Sequence, residues 1–274
     1  MSNEVVGIKH DKFFRDNPVF TSSDFWQYLL SRNIGKRTQD ALISYYRKTG
    51  RIINIKRGLY ATVPAGSTPE AFSVDPYLLA SKLTPDAVIA HLTALGFFGS
   101  TYSARNIFTY SASRPVDILA FQAHSFKGTR FPKTLVDRGK EMFDVRTEER
   151  AGMNLRVTSL ERALVDILDR PELCGSWEEI WRSLESIDFF DLDKVLEYVL
   201  LIENSTTAAK VGFFLEQHRE ELMVEDHYLE ELGKLRPLNP HYFSRTRREP
   251  GSFVSKWNLV VPEEVIKRSW GEIL

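Results

Sequence analysis

Between Arg32 and Arg57 the chain carries eight Lys or Arg residues and a single acid, Asp40. Lys36, Arg37, Thr38 and Gln39 follow one another where a helix should begin, so side chains and the free N–H groups of a first turn face the same way. That is the chemistry of major-groove contact, in which Arg pairs bidentately with guanine, Gln pairs with adenine, and flanking cations meet phosphates. Arg37 and Gln39 are the expected base readers. Arg47, Lys48 and Arg51, at the far end, suit the phosphate backbone. Lys56 and Arg57 bracket a turn at Gly58 that would reach an adjacent groove or phosphate. The competing reading is a solvated basic surface used for protein contact. With one acid to neutralise eight cations, double-stranded DNA is the expected partner, and binding should depend steeply on salt.

A second basic cluster, Arg236, Arg245, Arg247, Arg248 and Lys256, has Tyr242, Phe243 and Trp257 interspersed, a combination suited to base stacking and phosphate contact. It is a second candidate nucleic-acid patch, with a charged surface loop as the alternative. Glu216, Glu220, Glu221, Glu225, Asp226, Glu230 and Glu231 form an acidic strip, read as a solvated helix face or as a mimic of nucleic acid toward a partner.

Catalysis finds less support. A metal-dependent nuclease would need Asp117, Glu161 and Asp166 to converge on Mg²⁺. Glu161 and Asp166 are five apart, about 140° around a helix, and the acid-x-lysine pair of a restriction-type strand is missing after Asp117. Arg162 and Asp166, four apart, read as a helical pair, an arrangement worth a few tenths of a kcal/mol when exposed. His91, in an apolar stretch, reads as a satisfied core histidine. His124, His218, His227 and His241 are scattered without cysteine partners, so no zinc site is expected. Neither GxxxxGK[ST] nor GxGxxG occurs. Cys174, the only cysteine, reads as an inert apolar residue in a reducing compartment. No catalytic residue, cofactor or metal is expected.

These side chains need elements to hold them. Thr21 to Asp24 is a capping signal ahead of an apolar run, with Phe25, Tyr28 and Leu29 turned inward and a stop near Asn33 or Gly35. Lys36 to Thr49 reads as a second helix, buried through Ala41, Leu42, Tyr45 and Tyr46 and ended by Gly50. Residues 51–63 suit a short hairpin broken at Gly58. Helix, short turn, helix, hairpin is the order of a winged helix-turn-helix, placed at residues 1–66. The PAGSTP stretch at 64–69 reads as a linker, and a larger mixed α+β domain should occupy 70–274. Within it, helices are expected at 75–82, 86–98, 159–168, 176–187, 191–203 and 206–222. Strand-like runs lie at 107–111, 116–123, 141–146, 154–157 and 257–261, and a short helix closes the chain from Pro262. Trp177, Trp181, Phe189, Phe190, Phe213 and Phe214 read as core aromatics.

The 274 residues leave room for two domains. A net charge of −1 conceals a split: up to residue 69 there are eleven Lys or Arg against five acids, a net of +6, so the remainder carries −7. Neither a signal-peptide pattern nor an apolar run of about 20 residues is present, so a cytoplasmic protein without a membrane partner is expected.

Several stretches in register resemble the AbiEi antitoxin family: GRIINIKRGLYA (50–61), DPYLLASKL (75–83), AHLTAL (90–95), TSLERALVD (158–166), VGFFLE (211–216) and WNLVVP (257–262). The resemblance implies an N-terminal winged helix that represses its own operon at inverted repeats. It also implies a C-terminal antitoxin domain countering an AbiEii-like nucleotidyltransferase toxin, in a type IV arrangement that needs no stable complex. Here the segment before Thr21 is longer and more charged than a bare winged helix requires, so residues 1–19 either pack on the domain or form an arm on DNA. The alternatives are a stand-alone transcription factor whose second domain senses a ligand or dimerises, and a nuclease.

Overall fold

The computed structural model describes residues 10–244, 249–268 and 270. Thr21 and Asp24 start a helix by satisfying each other's backbone groups: the Thr21 hydroxyl accepts from the Asp24 N–H at 3.1 Å, and Asp24 Oδ2 accepts from the Thr21 N–H at 2.8 Å. Around this start the first part of the chain orders as α1 (Asp11–Asp16), β1 (Val19–Thr21), α2 (Ser22–Leu30), α3 (Lys36–Lys48), β2 (Ile52–Lys56) and β3 (Leu59–Thr62). The strands form an antiparallel sheet in the order β1-β3-β2. Phe13, Phe14, Phe20, Phe25, Leu29, Ile43, Tyr46, Ile52 and Tyr60 close a small core beneath the helices. Phe13 and Phe14 bring α1 into that core, so residues 10–16 pack on the head; residues 1–9 lie outside the described residues.

Alternation along the strands decides how this head relates to the rest. Phe20 and Tyr60 point into the head core, whereas Val19, Leu59 and Ala61 point the other way and join the core of the body. All four residues of β3 are buried. The 64–69 stretch is exposed apart from half-buried Pro69, yet the segments it joins are docked face to face rather than loosely tethered. Asp24 pairs with Lys82 across the seam at 3.0 Å. Burial raises the Asp24 carboxyl, but the Thr21 N–H and Lys82 outweigh it and hold the group below its ordinary value.

The body is mixed α+β. A six-stranded sheet runs in the order β6-β7-β5-β4-β9-β8, from β4 (Val88–Ile89), β5 (Ile107–Ala112), β6 (Leu119–Phe121), β7 (His124–Arg130), β8 (Val145–Arg150) and β9 (Met153–Thr158). The pairs β4–β9 and β5–β7 are parallel and the others antiparallel. Short helices α4 (Pro76–Ser81), α5 (Leu92–Phe97) and α6 (Lys133–Asp137) lie among the strands. A helical layer follows: α7 (Leu160–Asp169), α8 (Trp177–Glu185), α9 (Leu192–Ile202), α10 (Ser205–Gln217) and α11 (Asp226–Leu235). Beyond it β10 (His241–Tyr242), β11 (Gly251–Val254) and β12 (Leu259–Pro262) make a small sheet in the order β10-β12-β11, and α12 (Glu263–Lys267) follows.

Several expectations need correction. The helix expected over 86–98 is a strand and a shorter helix: residues 87–90 are fully buried, and His91 turns the chain at φ 57°, ψ −145°. A short, wholly apolar run has no periodicity to separate strand from helix. Of the run at 116–123 only Leu119–Phe121 forms a strand, β6, and Gln122 at φ 51° turns the chain into its antiparallel partner β7, which begins at His124. Helices α6 and α11 were not expected. Phe189 is exposed rather than core. Trp257 precedes the last strand and is fully buried, its indole N–H donating to Glu216 at 2.6 Å.

Candidate nucleic-acid interface

Helix α3 sets the interface, and its orientation follows from what it buries. Gln39, Ile43 and Tyr46 face the head core, with Leu42 and Tyr45 half-buried beside them. The face expected to be buried was therefore rotated: Ile43, not Ala41, anchors it, and Ala41 is exposed. At 100° per residue the opposite stripe is Arg37, Ala41, Ser44 and Lys48. Two small residues in mid-helix with cations at both ends leave room for the backbone to approach another surface closely. At the N-terminus Gly35 supplies no capping side chain, so the N–H groups of the first turn keep their affinity for an anion.

The expected contact residues divide into two sets. Lys36, Arg37, Thr38, Arg47, Lys48 and Arg57 are exposed, and the five cations among them have no ion-pair partner among the described residues. Three others are committed elsewhere. Gln39, the expected adenine reader, is buried and donates from Nε2 to the Ser22 carbonyl at 2.6 Å, fastening α3 to the start of α2. Its position one residue beyond the exposed trio brought it to the inner face, a 100° turn that a linear reading of the first turn ignores. Arg51 donates to the Val63 carbonyl at 2.8 Å, pairs with Asp11 at 3.1 Å and lies over the Phe14 ring. Lys56 turns to the body and donates to the Leu83 carbonyl at 3.3 Å, burial lowering its ammonium below the ordinary value. The hairpin turn is short and held in place, since the Gly58 carbonyl accepts from the Ser22 N–H at 2.9 Å while Gly58 adopts φ +77°.

The second patch keeps less of its expected character. Arg236 donates to the Lys256 carbonyl at 2.6 Å, and Lys256 pairs with Glu216. Phe243 and Trp257 are buried, leaving Tyr242 as the exposed aromatic of the three. Arg245, Arg247 and Arg248 lie outside the described residues. The acidic strip is not one helix face, for it runs from the end of α10 through a turn into α11.

The body's polar groups form a buried framework. Arg162 is fully buried: Nη1 donates to the Glu141 and Phe143 carbonyls at 2.8 and 2.6 Å, and Nε lies 3.5 Å from Asp166. Tyr198 donates to Asp166 at 2.6 Å. Burial raises the Asp166 carboxyl above its usual range against the pull of Arg162. Glu161 accepts from the Asp191 N–H at 3.2 Å, while Asp117 is exposed ahead of β6. The structure does not bring these three acids together, and no cluster of three potential metal ligands occurs among the described residues. His91 is buried, but among the described residues its Nδ1 has no hydrogen-bond partner, so it is not the satisfied histidine expected; burial, with Arg170 nearby, depresses its imidazole to about 3. The Cys174 thiol is buried and pushed up to about 12. No described helix is long and apolar enough to cross a membrane.

No protein-family model and no curated protein matches the chain. Its architecture is that of a mixed α+β protein similar to the crystal structure of RV2827C protein from Mycobacterium tuberculosis, with a TM-score of 0.60 and 20% identity over 96% of this chain and 91% of that one.

Proposed function

We propose that residues 20–63 act as a winged helix-turn-helix on duplex DNA, and that the chain is an autorepressor and antitoxin of a type IV phage-defence system. The observation that carries the DNA half is the set of five exposed cations without ion-pair partners among the described residues, Lys36, Arg37, Arg47, Lys48 and Arg57, around a helix whose outward stripe is otherwise small. Surface cations that hold no acid are available to displace counterions from phosphates. The antitoxin half rests on the resemblance to AbiEi proteins, with an AbiEii-like nucleotidyltransferase as the functional partner. Arg245, Arg247 and Arg248 remain a candidate second contact on the sequence alone.

The test is a titration of the full chain against the duplex upstream of its own gene between 50 and 200 mM salt. With Lys36, Arg47, Lys48 and Arg57 on phosphates and Arg37 on a base, log K should fall against log[salt] with a slope of about −3 to −4. A slope near zero removes the DNA reading. Co-expression with the nucleotidyltransferase encoded beside it should restore growth; without such a neighbour, a stand-alone regulator is the better account.

A further inference from the structure

Asp40 is the one acid in α3, exposed on a helix otherwise arranged for a polyanion. A carboxylate there is opposed by every phosphate it approaches, and its own helix does not neutralise it. Lys36 is four residues before it and Arg37 three, both within reach along a helix surface, yet Asp40 makes no ion pair among the described residues. It also caps nothing, since the N-cap position belongs to Gly35.

We infer that Asp40 is a specificity-determining residue of α3 that selects cytosine. This rests on the proposal that α3 enters the major groove. Only two base edges offer a donor there, the N4 amino group of cytosine and the N6 amino group of adenine. The adenine donor lies beside the N7 lone pair, which repels a carboxylate, whereas the cytosine donor lies beside an apolar C5–H edge. Cytosine therefore rewards Asp40 and the other three bases do not. At 100° per residue Asp40 lies about 60° from Arg37 and about 40° from Ser44. The Cβ atoms of residues three or four apart on a helix are roughly 5–6 Å from one another, which suits neighbouring base pairs. Arg37 on guanine and Asp40 on cytosine would then read adjacent pairs, with the Ala41 methyl free to meet a thymine methyl.

The experiment is selection of binding sites from a randomised duplex pool, with the full wild-type chain and with Asp40→Asn and Asp40→Ala. Helicity measured by circular dichroism should be the same for all three, because the side chain is exposed. Wild type should enrich a cytosine beside a guanine. Asp40→Asn, whose amide can pair with adenine, should move that cytosine to adenine. Asp40→Ala should lose the preference there by about tenfold while binding random duplex at least as tightly. Retention of the same cytosine by both variants would overturn the assignment while leaving DNA binding in place. If wild type neither enriches a sequence nor binds random duplex at low salt, DNA binding itself fails and takes this assignment with it.

Discussion

Gln39 and Arg37 show how two residues apart on a helix can have opposite duties. Arg37 is exposed, whereas Gln39 is spent on the Ser22 carbonyl inside the head. Gln39→Ala should lower the melting temperature by an amount equivalent to about 1–2 kcal/mol, through the unmade buried hydrogen bond, and leave sequence preference unchanged. Arg37→Ala should relax preference for one base and barely affect melting. Thermal melts paired with site selection separate the two; relaxed specificity in Gln39→Ala would return it to the reading face. His91 offers a second test. Its depressed imidazole stays neutral in the folded chain while the unfolded chain takes up a proton below about pH 6.5. Stability is thus intact above that pH and falls as pH drops toward 3, by up to about 1.4 kcal/mol per unit. His91→Gly, which suits φ 57°, should flatten the acid limb of a denaturant-stability profile; an unchanged limb would locate the acid sensitivity elsewhere.

At the scale of elements the hairpin repays comparison of its two basic residues. Lys56 reaches the body and Arg57 faces solvent. Arg57→Ala should therefore reduce the salt slope of DNA binding by about one, and Lys56→Ala should leave it unchanged. Equal losses in slope would mean that Lys56 leaves the Leu83 carbonyl for a phosphate. What could be read beforehand follows the strength of local signals. The capping pair Thr21–Asp24, the Asp75 cap and Gly50 at φ +71° are short-range devices, and their elements lie where the residues place them. The inner face of α3 was misread because Tyr45, Leu42 and Ala41 carry apolar character that tertiary packing uses only in part, while polar Gln39 is taken inside to satisfy a carbonyl. Likewise β4, two residues inside an apolar run, is defined by its partners β5 and β9, which lie far away in sequence.

Taken whole, the molecule has a head whose sheet serves two cores. The exposed stretch at 64–69 and the jump from net +6 to −7 point to two separable units; neither records that Val19, Ile55, Leu59 and Ala61 belong to the body's core. Head and body should consequently unfold together, and calorimetry of the full chain should give one transition with matching calorimetric and van't Hoff enthalpies. Two resolved transitions would show that the seam contributes little.

Strand β3, buried on both sides, carries a consequence for the chain's history. A module that travels between proteins must have a water-tolerant exterior, and this one ends in an oily sheet face. Cut out at its own linker, the head would present Val19, Ile55, Leu59 and Ala61 to solvent and to its copies. Lineages carrying such a head should therefore have inherited it together with its body. Recombination at residues 64–69 would be expected to produce chimaeras that clump, unless the acceptor brings a matching apolar surface.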